Sequence, residues 1–256
     1  MAERFTLDLA PRTALVTGGS RGIGRAIAEQ LCLAGAKVAA SYRSDEESAN
    51  SLVSELCAAG GEAMALAGDV SDPASARQLV RDVVAAWGRL DILVNNAGVW
   101  EEDEAGRGDL AVWDRALAVN VRGAFLVTDA AVPHLARTGG SIVFVSSTAG
   151  QRGEARHSAY ASSKGALISY TKSLGVELGP LGIRVNCVAP GWVETDMTEP
   201  TLSDPARRRE IEASIPIGRV ASPRDIAGAV LFLVSGLARH LQGEIVNVNG
   251  GSVLVG

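Results

Sequence analysis

The chain has little of what disulfide-stabilised domains and metal-binding proteins depend on. Its 256 residues include three cysteines and three histidines, and aromatic residues make up 4%. The cysteines, Cys32, Cys57 and Cys187, are odd in number, lack metal-like spacing and lie in apolar stretches. This usage predicts three buried free thiols, no metal site and a reducing, cytoplasmic environment.

An excess of positive charge and long hydrophobic runs are also missing. The chain has 24 basic and 29 acidic residues, and its one basic run, at positions 207–209, predicts a solvated helix face. Nucleic acid and anionic membranes are therefore not expected partners. The first residues lack an apolar run of signal-peptide length, and no segment reaches about 18 consecutive apolar residues, which predicts no membrane span.

The chain is rich in short apolar segments and in glycine. Hydrophobic residues make up 47%, and there are 29 glycines. Nearly continuous apolar runs, typical of strands buried on both faces, alternate with longer helical patterns. This alternation predicts a single Rossmann-type α/β domain over residues 1–256, with a doubly wound, seven-stranded parallel sheet and helices on both faces. The predicted strands are residues 13–16, 37–42, 63–67, 92–94, 142–145, 183–188 and 245–248.

Capping residues mark several helix starts. Ser44 with Glu47 predicts a capping box, and Ser222 with Asp225 predicts a looser version of one. The polar, proline-bearing segment 196–212 interrupts the sheet pattern late in the chain. Such a segment predicts a small lid over a site.

A glycine-rich turn follows the first predicted strand and opens the first helical pattern, at residues 17–24. In a dinucleotide site, Gly18 would allow the tight turn, Gly22 would let the backbone approach a pyrophosphate, and Gly24 would let the helix pack closely. The free N–H groups of the helix N-terminus would then bind the phosphates. The alternative is a purely structural strand-to-helix turn.

The end of the second strand indicates which nicotinamide cofactor is used. An acid that would bind the ribose 2′-OH of NAD is missing there, and Arg43 follows the strand instead. Arg43 and Arg21 would both pair with a 2′-phosphate, so the sequence predicts NADPH over NADH. Asp45 and Glu46 are interpreted as charges at a helix N-terminus. The alternative for Arg43 is an exposed surface arginine.

Four polar residues form the candidate catalytic set. Tyr160 and Lys164 are four residues apart in a helical pattern, and an ammonium on the same face would lower the pKa of the phenol. Ser147 lies at the carboxyl end of a predicted strand, where ligands bind in such sheets. Asn120 lies mid-helix despite its poor helix propensity, which suggests an amide that fixes a water or a backbone kink, or else a plain exposed side chain.

These motifs together resemble the short-chain dehydrogenase/reductase superfamily, in its single-domain branch, over nearly the whole chain. Residues 188–197 and the ending at 246–256 are similar to those of 3-oxoacyl-(acyl carrier protein) reductases. The residues that carry the resemblance are 17–24, Asp69-Val70, 95–98, Asn120, Ser147, Tyr160 with Lys164, and Pro190-Gly191.

The resemblance implies a role for each of these residues and a cytoplasmic homotetramer. Ser147 and Tyr160 would bind the substrate carbonyl, and Tyr160 would give the proton. Lys164 would bond the nicotinamide ribose and, with Asn120, feed a proton relay through water. The implied cofactor-binding set is Gly18, Ser20, Arg21, Gly22, Ile23, Gly24, Arg43, Asp69, Val70, Asn96, Ala97, Gly98, Tyr160, Lys164, Pro190, Gly191, Val193 and Thr195.

The expected function is NADPH-dependent reduction of a ketone or 3-oxo group to a secondary alcohol, or its reverse, on a small carbonyl or alcohol substrate. A strict 3-oxoacyl-(acyl carrier protein) reductase is the first alternative. Against it, Thr138 and Leu181 stand where such enzymes often have basic residues, and the acidic residues 101–104 would repel an acidic carrier.

Two further alternatives come from other functional classes. A protein that senses NADPH without turnover is expected to lack Tyr160, Lys164 or Ser147, and all three are present. A nucleotide-sugar epimerase or dehydratase would resemble relatives with a differently spaced glycine motif and a larger C-terminal region.

Overall fold

A computed structural model describes residues 7–255 of the chain. Within them, seven parallel strands form one sheet in the order β3-β2-β1-β4-β5-β6-β7. The predicted doubly wound, single-domain α/β fold is confirmed. The expectation about a signal peptide concerns, in part, residues 1–6, which lie outside the described residues. The strands are β1 Thr13–Val16, β2 Lys37–Tyr42, β3 Ala63–Ala67, β4 Ile92–Asn95, β5 Ser141–Val145, β6 Arg184–Pro190 and β7 Ile245–Val248.

Helices cover both faces of the sheet because successive strand residues point to opposite sides. In β1, Ala14 and Val16 pack with the helices of one face, and Leu15 packs with those of the other. The helices are α1 Gly22–Leu33, α2 Glu46–Ala58, α3 Pro73–Trp87, α4 Leu110–Ala116, α5 Ala124–Thr138, α6 Thr148–Arg152, α7 Ser158–Leu178, α8 Glu199–Leu202, α9 Pro205–Ala213 and α10 Pro223–Val234. Helices α1, α2 and α10 cover the first face, and α3, α5 and α7 cover the second.

Two local predictions need correction. The capping box at Ser44 and Glu47 is wrong, because α2 begins at Glu46 and the side chain of Asp45 accepts the Ser48 N–H at 3.0 Å. The expectation that all three cysteines are buried is also wrong, because Cys57 is exposed. The capping box of Ser222 and Asp225 is confirmed at the start of α10.

Helices α4 and α5 are joined by a π-helical segment, Leu117–Gly123. The resulting stretch, Leu110–Thr138, is long and apolar enough to cross a membrane, judged by length and composition only. Its residues Val127, Ala131 and Leu135 are fully buried in the core that α3, α5 and α7 share with the sheet. This packing is that of a core helix in an α/β domain.

Candidate active site

A cavity of about 400 Å³ opens at the carboxyl ends of the strands, where the chain order reverses between β1 and β4. This switch point is where open α/β sheets bind ligands. Every residue predicted to hold the cofactor lines the cavity, and so does Ser147; Asn120 does not. Residues of the lining that the sequence did not indicate include Ser41, Gly68, Val99 and Val119.

The glycine-rich turn leaves room for a dinucleotide in the way its spacing predicts. Gly18 and Gly22 have φ values of +60° and +53°, which favour glycine. A Cβ on Gly24 would lie 2.1 Å from the Gly18 carbonyl oxygen, so only glycine lets α1 pack this closely on the turn. The Asn96 side chain holds the turn, because its Nδ2 donates to the carbonyl of Gly18 at 2.9 Å.

In the loop after β4, Gly98 keeps the wall of the cavity open beside Asn120 and Lys164. A Cβ there would lie 3.3 Å from Asn120 Oδ1 and 3.4 Å from Lys164 Nζ. The cradle therefore fits a nicotinamide dinucleotide in both size and lining, with glycine at the two points of close approach.

Two arginines stand at the outer rim of the cavity, and both are exposed. Arg21 makes ion pairs with Asp45 at 3.2 Å and with Asp196 at 3.3 Å. Arg43 lies near Asp69, whose pKa is lowered mainly by hydrogen bonds from Ser71 and further by the charge of Arg43. The rim thus offers two guanidinium groups, of which Arg21 already has carboxylate partners.

Tyr160 and Lys164 share one face of α7, with Lys164 Nζ 5.7 Å from the centre of the phenol ring. Nζ donates to the carbonyl of Val145 at 2.8 Å. Burial lowers the pKa of Lys164 to about 8 and raises the pKa of Tyr160 to about 12. A hydrogen bond from Ser147 opposes the rise in the pKa of Tyr160, and the charge of Glu154 adds to it.

The prediction that the lysine lowers the tyrosine pKa is therefore wrong for the protein alone. Burial is the largest cause of the raised pKa of Tyr160, and Lys164 is not among the groups that shift it. At neutral pH, the pair is instead a protonated phenol beside an ammonium group. This is the state of a proton donor whose conjugate base the ammonium would stabilise.

The two serines after β5 have separate tasks. Ser146 is buried and its hydroxyl donates to the carbonyl of Lys164 at 2.8 Å, which ties β5 to α7. Ser147 caps α6, accepting the Ala149 N–H at 3.1 Å, and its hydroxyl hydrogen-bonds the phenol of Tyr160. Both serines line the cavity, and Ser147 is the one whose hydroxyl lies beside the phenol of Tyr160.

Asn120 lies behind the cavity, in the π-helical segment that interrupts the helix. Its Oδ1 accepts the Val99 N–H at 2.8 Å, and its Nδ2 donates to Val99 O at 3.0 Å and to Ser163 Oγ at 2.9 Å. Of the alternatives open for this residue, a plain exposed side chain is wrong, because Asn120 is buried. The amide fixes the loop after Gly98 to the helix that carries Tyr160.

The segment predicted as a lid forms two short helices, α8 and α9, beyond the cavity. Its first residues, Asp196 and Met197, line the cavity, while Ile211 in α9 packs into a small separate core. The Thr198 hydroxyl donates to the carbonyl of Val193 at 2.5 Å and fixes the start of the segment. Closure of this segment over the site stays a prediction.

A smaller pocket of about 70 Å³ adjoins the main cavity and shares Ser147 and Tyr160 with it. Its remaining wall includes Trp100, Trp192, Arg152 and Glu154. The sequence does not single out these four residues, although Trp100, Arg152 and Glu154 lie in two segments expected to determine substrate choice, the loop after Gly98 and residues 151–157. Their only sequence signal is position, shortly after the strand ends that carry Gly98, Ser147 and Gly191.

The acidic residues 101–104 do not form an uncompensated negative patch. Glu101, Glu102 and Glu104 pair with Arg115, Arg156 and Arg107 at 3.1, 3.0 and 3.8 Å. Asp103 is buried and accepts the hydroxyl of Ser158. The repulsion expected from four adjacent acids is therefore largely cancelled by nearby arginines.

Comparison with known proteins places the chain among nicotinamide-dependent enzymes. A family model described as enoyl-(acyl carrier protein) reductase matches residues 18–252. The 3-oxoacyl-(acyl-carrier-protein) reductase FabG of Staphylococcus aureus is 38% identical over 241 residues, which are 94% of this chain and 97% of that protein. The L-rhamnose 1-dehydrogenase (NAD(P)(+)) of Azotobacter vinelandii is 37% identical over 248 residues, covering 95% of this chain and 97% of that protein.

Among solved structures, a proposed NAD(P)-dependent gluconate 5-dehydrogenase from Beutenbergia cavernae superposes with a TM-score of 0.91. It is 37% identical and covers 96% of this chain and 98% of its own, and it contains NADP at low occupancy. The relatives agree on the reaction class and differ in the substrates that their names give.

Proposed function

The chain belongs to the short-chain dehydrogenase/reductase superfamily of oxidoreductases, and on that premise we propose that it reduces a ketone or 3-oxo group to a secondary alcohol with NADPH, or catalyses the reverse. The observation that carries the proposal is the arrangement of Tyr160. Its phenol is protonated at neutral pH, hydrogen-bonded by Ser147 and adjacent to the buried amine of Lys164. All three side chains face one cavity at the carboxyl ends of the strands.

In this mechanism the chain's own residues bind the substrate and move one proton. The Ser147 hydroxyl and the Tyr160 phenol both bond the carbonyl oxygen and orient it. When bound, the nicotinamide cofactor supplies the hydride to the carbonyl carbon. Tyr160 gives its proton to the oxygen, and the ammonium of Lys164 stabilises the phenolate that remains. Asn120 supports the set by holding the loop after Gly98 against α7.

We further propose that NADPH is preferred over NADH. Among the described residues Arg43 makes no ion pair, although its charge acts on nearby Asp69, and its exposed guanidinium at the rim would pair with a 2′-phosphate. Arg21 would contribute less, since Asp45 and Asp196 already compete for its guanidinium. The Beutenbergia structure, which contains NADP, supports this choice.

Acyl carrier specificity is the second candidate, because the Staphylococcus relative is a reductase of this kind. The pairing of residues 101–104 with arginines removes the main electrostatic objection to an acidic carrier. The missing basic residues at Thr138 and Leu181 still argue against it. We therefore propose a small, carrier-free carbonyl or alcohol substrate.

For the whole protein we propose a single domain over residues 1–256 that works as a cytoplasmic homotetramer. Exposed apolar side chains on α5 and α7, including Phe125 and Val176, support the assembly. The lid over the substrate is proposed at residues 196–212, because Asp196 and Met197 line the cavity.

Replacing Tyr160 with phenylalanine tests the chemistry. We expect kcat for NADPH-dependent ketone reduction to fall by about 10²- to 10⁴-fold, the range of a general acid, while NADPH still binds through the remaining residues of the cavity. Tyr170→Phe is the matched control, since Tyr170 lies on the same helix, packs against Phe144 and is outside the cavity lining. Steady-state rates over a panel of ketones and fluorescence titration of NADPH give the two values.

Undiminished turnover in Tyr160→Phe would overturn the proposal. If the wild-type protein bound NADPH but did not oxidise it in the presence of any ketone, thioester or sugar tested, the result would favour the NADPH-sensing alternative.

A further inference from the structure

The small pocket beside Tyr160, here called the side pocket, lies where one of the two groups on a reacting carbonyl carbon would be placed. It shares Ser147 and Tyr160 with the main cavity, and its volume is about 70 Å³. Because these two side chains would bind the carbonyl oxygen, one substituent of the carbon would point into the side pocket. A cavity of about 150 Å³ accommodates benzene with its six carbon atoms, so the side pocket fits a group of about two or three carbon atoms.

The indole ring of Trp100 is a fixed wall of the side pocket. It lines the side pocket but not the main cavity. The ring stacks on the buried His157, with centroids 4.4 Å apart and planes 3° from parallel. It meets Trp192, another residue of the wall, edge to face at 6.1 Å and 87°. Its Nε1–H donates to Glu154 Oε2 at 3.3 Å, so three separate contacts hold the ring before any substrate arrives.

The loop that carries this indole is itself tied to the start of the catalytic helix α7. The Asp103 N–H donates to the carbonyl of Arg156 at 2.6 Å, and Asp103 forms an isolated parallel bridge with His157. The buried Asp103 carboxylate accepts the Ser158 hydroxyl at 2.5 Å. Arg156 has a φ of +65°, a conformation that persists in a residue with a side chain only where the surrounding contacts fix it. The loop after β4 and the first turn of α7 therefore form one unit.

A wall fixed in this way limits the size of the group that can lie beside the reacting carbon. We propose, on the basis of the proposed function, that Trp100 determines which ketones are accepted and that Asp103 is the positioning residue that holds Trp100 in place. A ketone is accepted when the smaller of its two groups fits the side pocket and the larger group extends through the open side of the main cavity. A packed indole does not yield to a larger group, because the rings around it leave no space to move into.

The straight-chain nonanones with the carbonyl at carbon 2, 3, 4 or 5 test this size limit. These isomers have the same composition, while their smaller group grows from methyl to butyl. With the full chain and saturating NADPH, we expect kcat/KM to fall by about ten- to a hundredfold from 2-nonanone to 5-nonanone, the range that a few methylene groups produce in a closed pocket. Trp100→Ala should raise kcat/KM for 5-nonanone by a similar factor and change that for 2-nonanone much less.

Asp103→Ala should relax the size limit in the same direction but to a smaller extent, with kcat for 2-nonanone retained, because the indole remains and loses only its support. Asp103→Asn keeps an acceptor for the Ser158 hydroxyl and should restore the selectivity. Trp113→Ala is the matched control, since Trp113 lies on α4 outside both pockets. Circular dichroism and NADPH affinity check that each variant folds. If Trp100→Ala fails that check, Trp100→Phe, which keeps a smaller ring on His157, takes its place.

Equal kcat/KM for all the isomers in the wild type would overturn the size limit while leaving the proposed oxidoreductase function intact. An unchanged order of the isomers in Trp100→Ala, or the same change in Trp113→Ala, would do so as well. Reduction of a simple 3-oxo ester without reduction of any nonanone would also overturn it, because a methyl group fits the side pocket. An unchanged order in Asp103→Ala would reject the positioning role of Asp103. Failure of every ketone, including the 3-oxo ester, would instead reject the proposed function itself.

Discussion

Burial shifts the pKa values of Lys164 and Tyr160 in opposite directions, and in each case the shift favours the neutral form of the side chain. The lysine falls to about 8 and the tyrosine rises to about 12. The enzyme therefore keeps an ammonium in a place that disfavours its charge, beside a phenol that resists ionisation. Such a pair is destabilised in the folded state and useful to catalysis, since the charge is worth most when a phenolate forms next to it.

The first prediction concerns this buried charge. Replacing Lys164 with methionine should raise the free energy of unfolding at pH 7 by about 2 kcal/mol, because the penalty of charging the buried amine is larger than one lost hydrogen bond to Val145. Catalytic activity should be lost. Urea unfolding of both proteins measures the difference.

The pH dependence of that difference has a definite sign. Between the folded pKa of about 8 and the unfolded value of 10.5, the unfolded lysine binds more protons than the folded one. The stability of the wild type should therefore rise with pH through this window relative to Lys164→Met, and the two should converge above it. A constant difference from pH 7 to pH 10.5 would contradict the assigned shift.

The second residue-scale prediction concerns cofactor choice. Arg43→Ala should lower the ratio of kcat/KM for NADPH over NADH by about ten- to a hundredfold, since a charge-assisted contact to the 2′-phosphate is lost. Arg21→Ala should have a smaller effect, because Asp45 and Asp196 already hold its guanidinium. Arg77→Ala, an exposed arginine of α3 outside the cavity lining, is the control. An unchanged ratio in Arg43→Ala would reject Arg43 as the 2′-phosphate ligand.

At this scale the sequence predicted the residues whose chemistry follows from spacing. Tyr160, Lys164 and Ser147 face one cavity, as a helix period and a strand end require. Trp100 and Glu154 were not predicted, because their meeting depends on how a loop after β4 folds over the start of α7. Loop geometry of this kind leaves no periodic pattern in the chain.

At the scale of elements, the close contact between the glycine-rich turn and α1 gives a sharp test. Gly24→Ala places a Cβ 2.1 Å from the Gly18 carbonyl oxygen, so the turn must open. We expect a loss of stability of about 1–3 kcal/mol and much weaker NADPH binding. Gly228→Ala, at an exposed helical position of α10 with no atom within 4 Å of the new Cβ, should gain up to about 1 kcal/mol.

Thermal unfolding with and without NADPH measures both variants. If Gly24→Ala bound NADPH with wild-type affinity, the turn would tolerate a side chain at this position. The close contact between Gly24 and the Gly18 carbonyl oxygen would then not determine the shape of the cofactor site.

Elements were predictable where one period held over several residues. The strands and the long helices follow the buried-strand and amphipathic patterns, with boundaries shifted by at most two residues in β6. The only sequence signal for the π-helical segment at Leu117–Gly123 was an asparagine, Asn120, within a helical pattern. Its cause is tertiary, since Asn120 bonds Val99 and Ser163 from other parts of the chain.

At the scale of the molecule, the reversal of strand order between β1 and β4 brings the separate motifs together. One edge of the sheet carries the turn after β1, the loop after β4 and the serines after β5. Parallel pairing makes this convergence obligatory, because every strand delivers its following loop to the same edge. The motifs are therefore adjacent in space although they are spread over more than half of the chain.

The proposed tetramer rests on the surface of α5 and α7. Phe125 is 48% exposed and Val176 is 82% exposed, and Phe125 contacts Tyr170 across the two helices. Apolar side chains exposed on adjacent helices are characteristic of an interface between copies. We expect the wild type to sediment with about four times the 26.5 kDa of one chain. The double variant Phe125→Asp, Val176→Asp should sediment with a clearly lower mass, because two charges per chain would be buried without partners.

Leu33→Asp is the control for this experiment, since Leu33 is equally apolar and 68% exposed but belongs to α1, on the other face of the sheet. Its mass should remain that of the wild type. Sedimentation velocity at several protein concentrations separates dissociation from misfolding, and circular dichroism checks the fold. A wild type that sediments as one chain, or a Leu33→Asp variant that dissociates as far as the double variant, would place the contact between copies elsewhere or remove it.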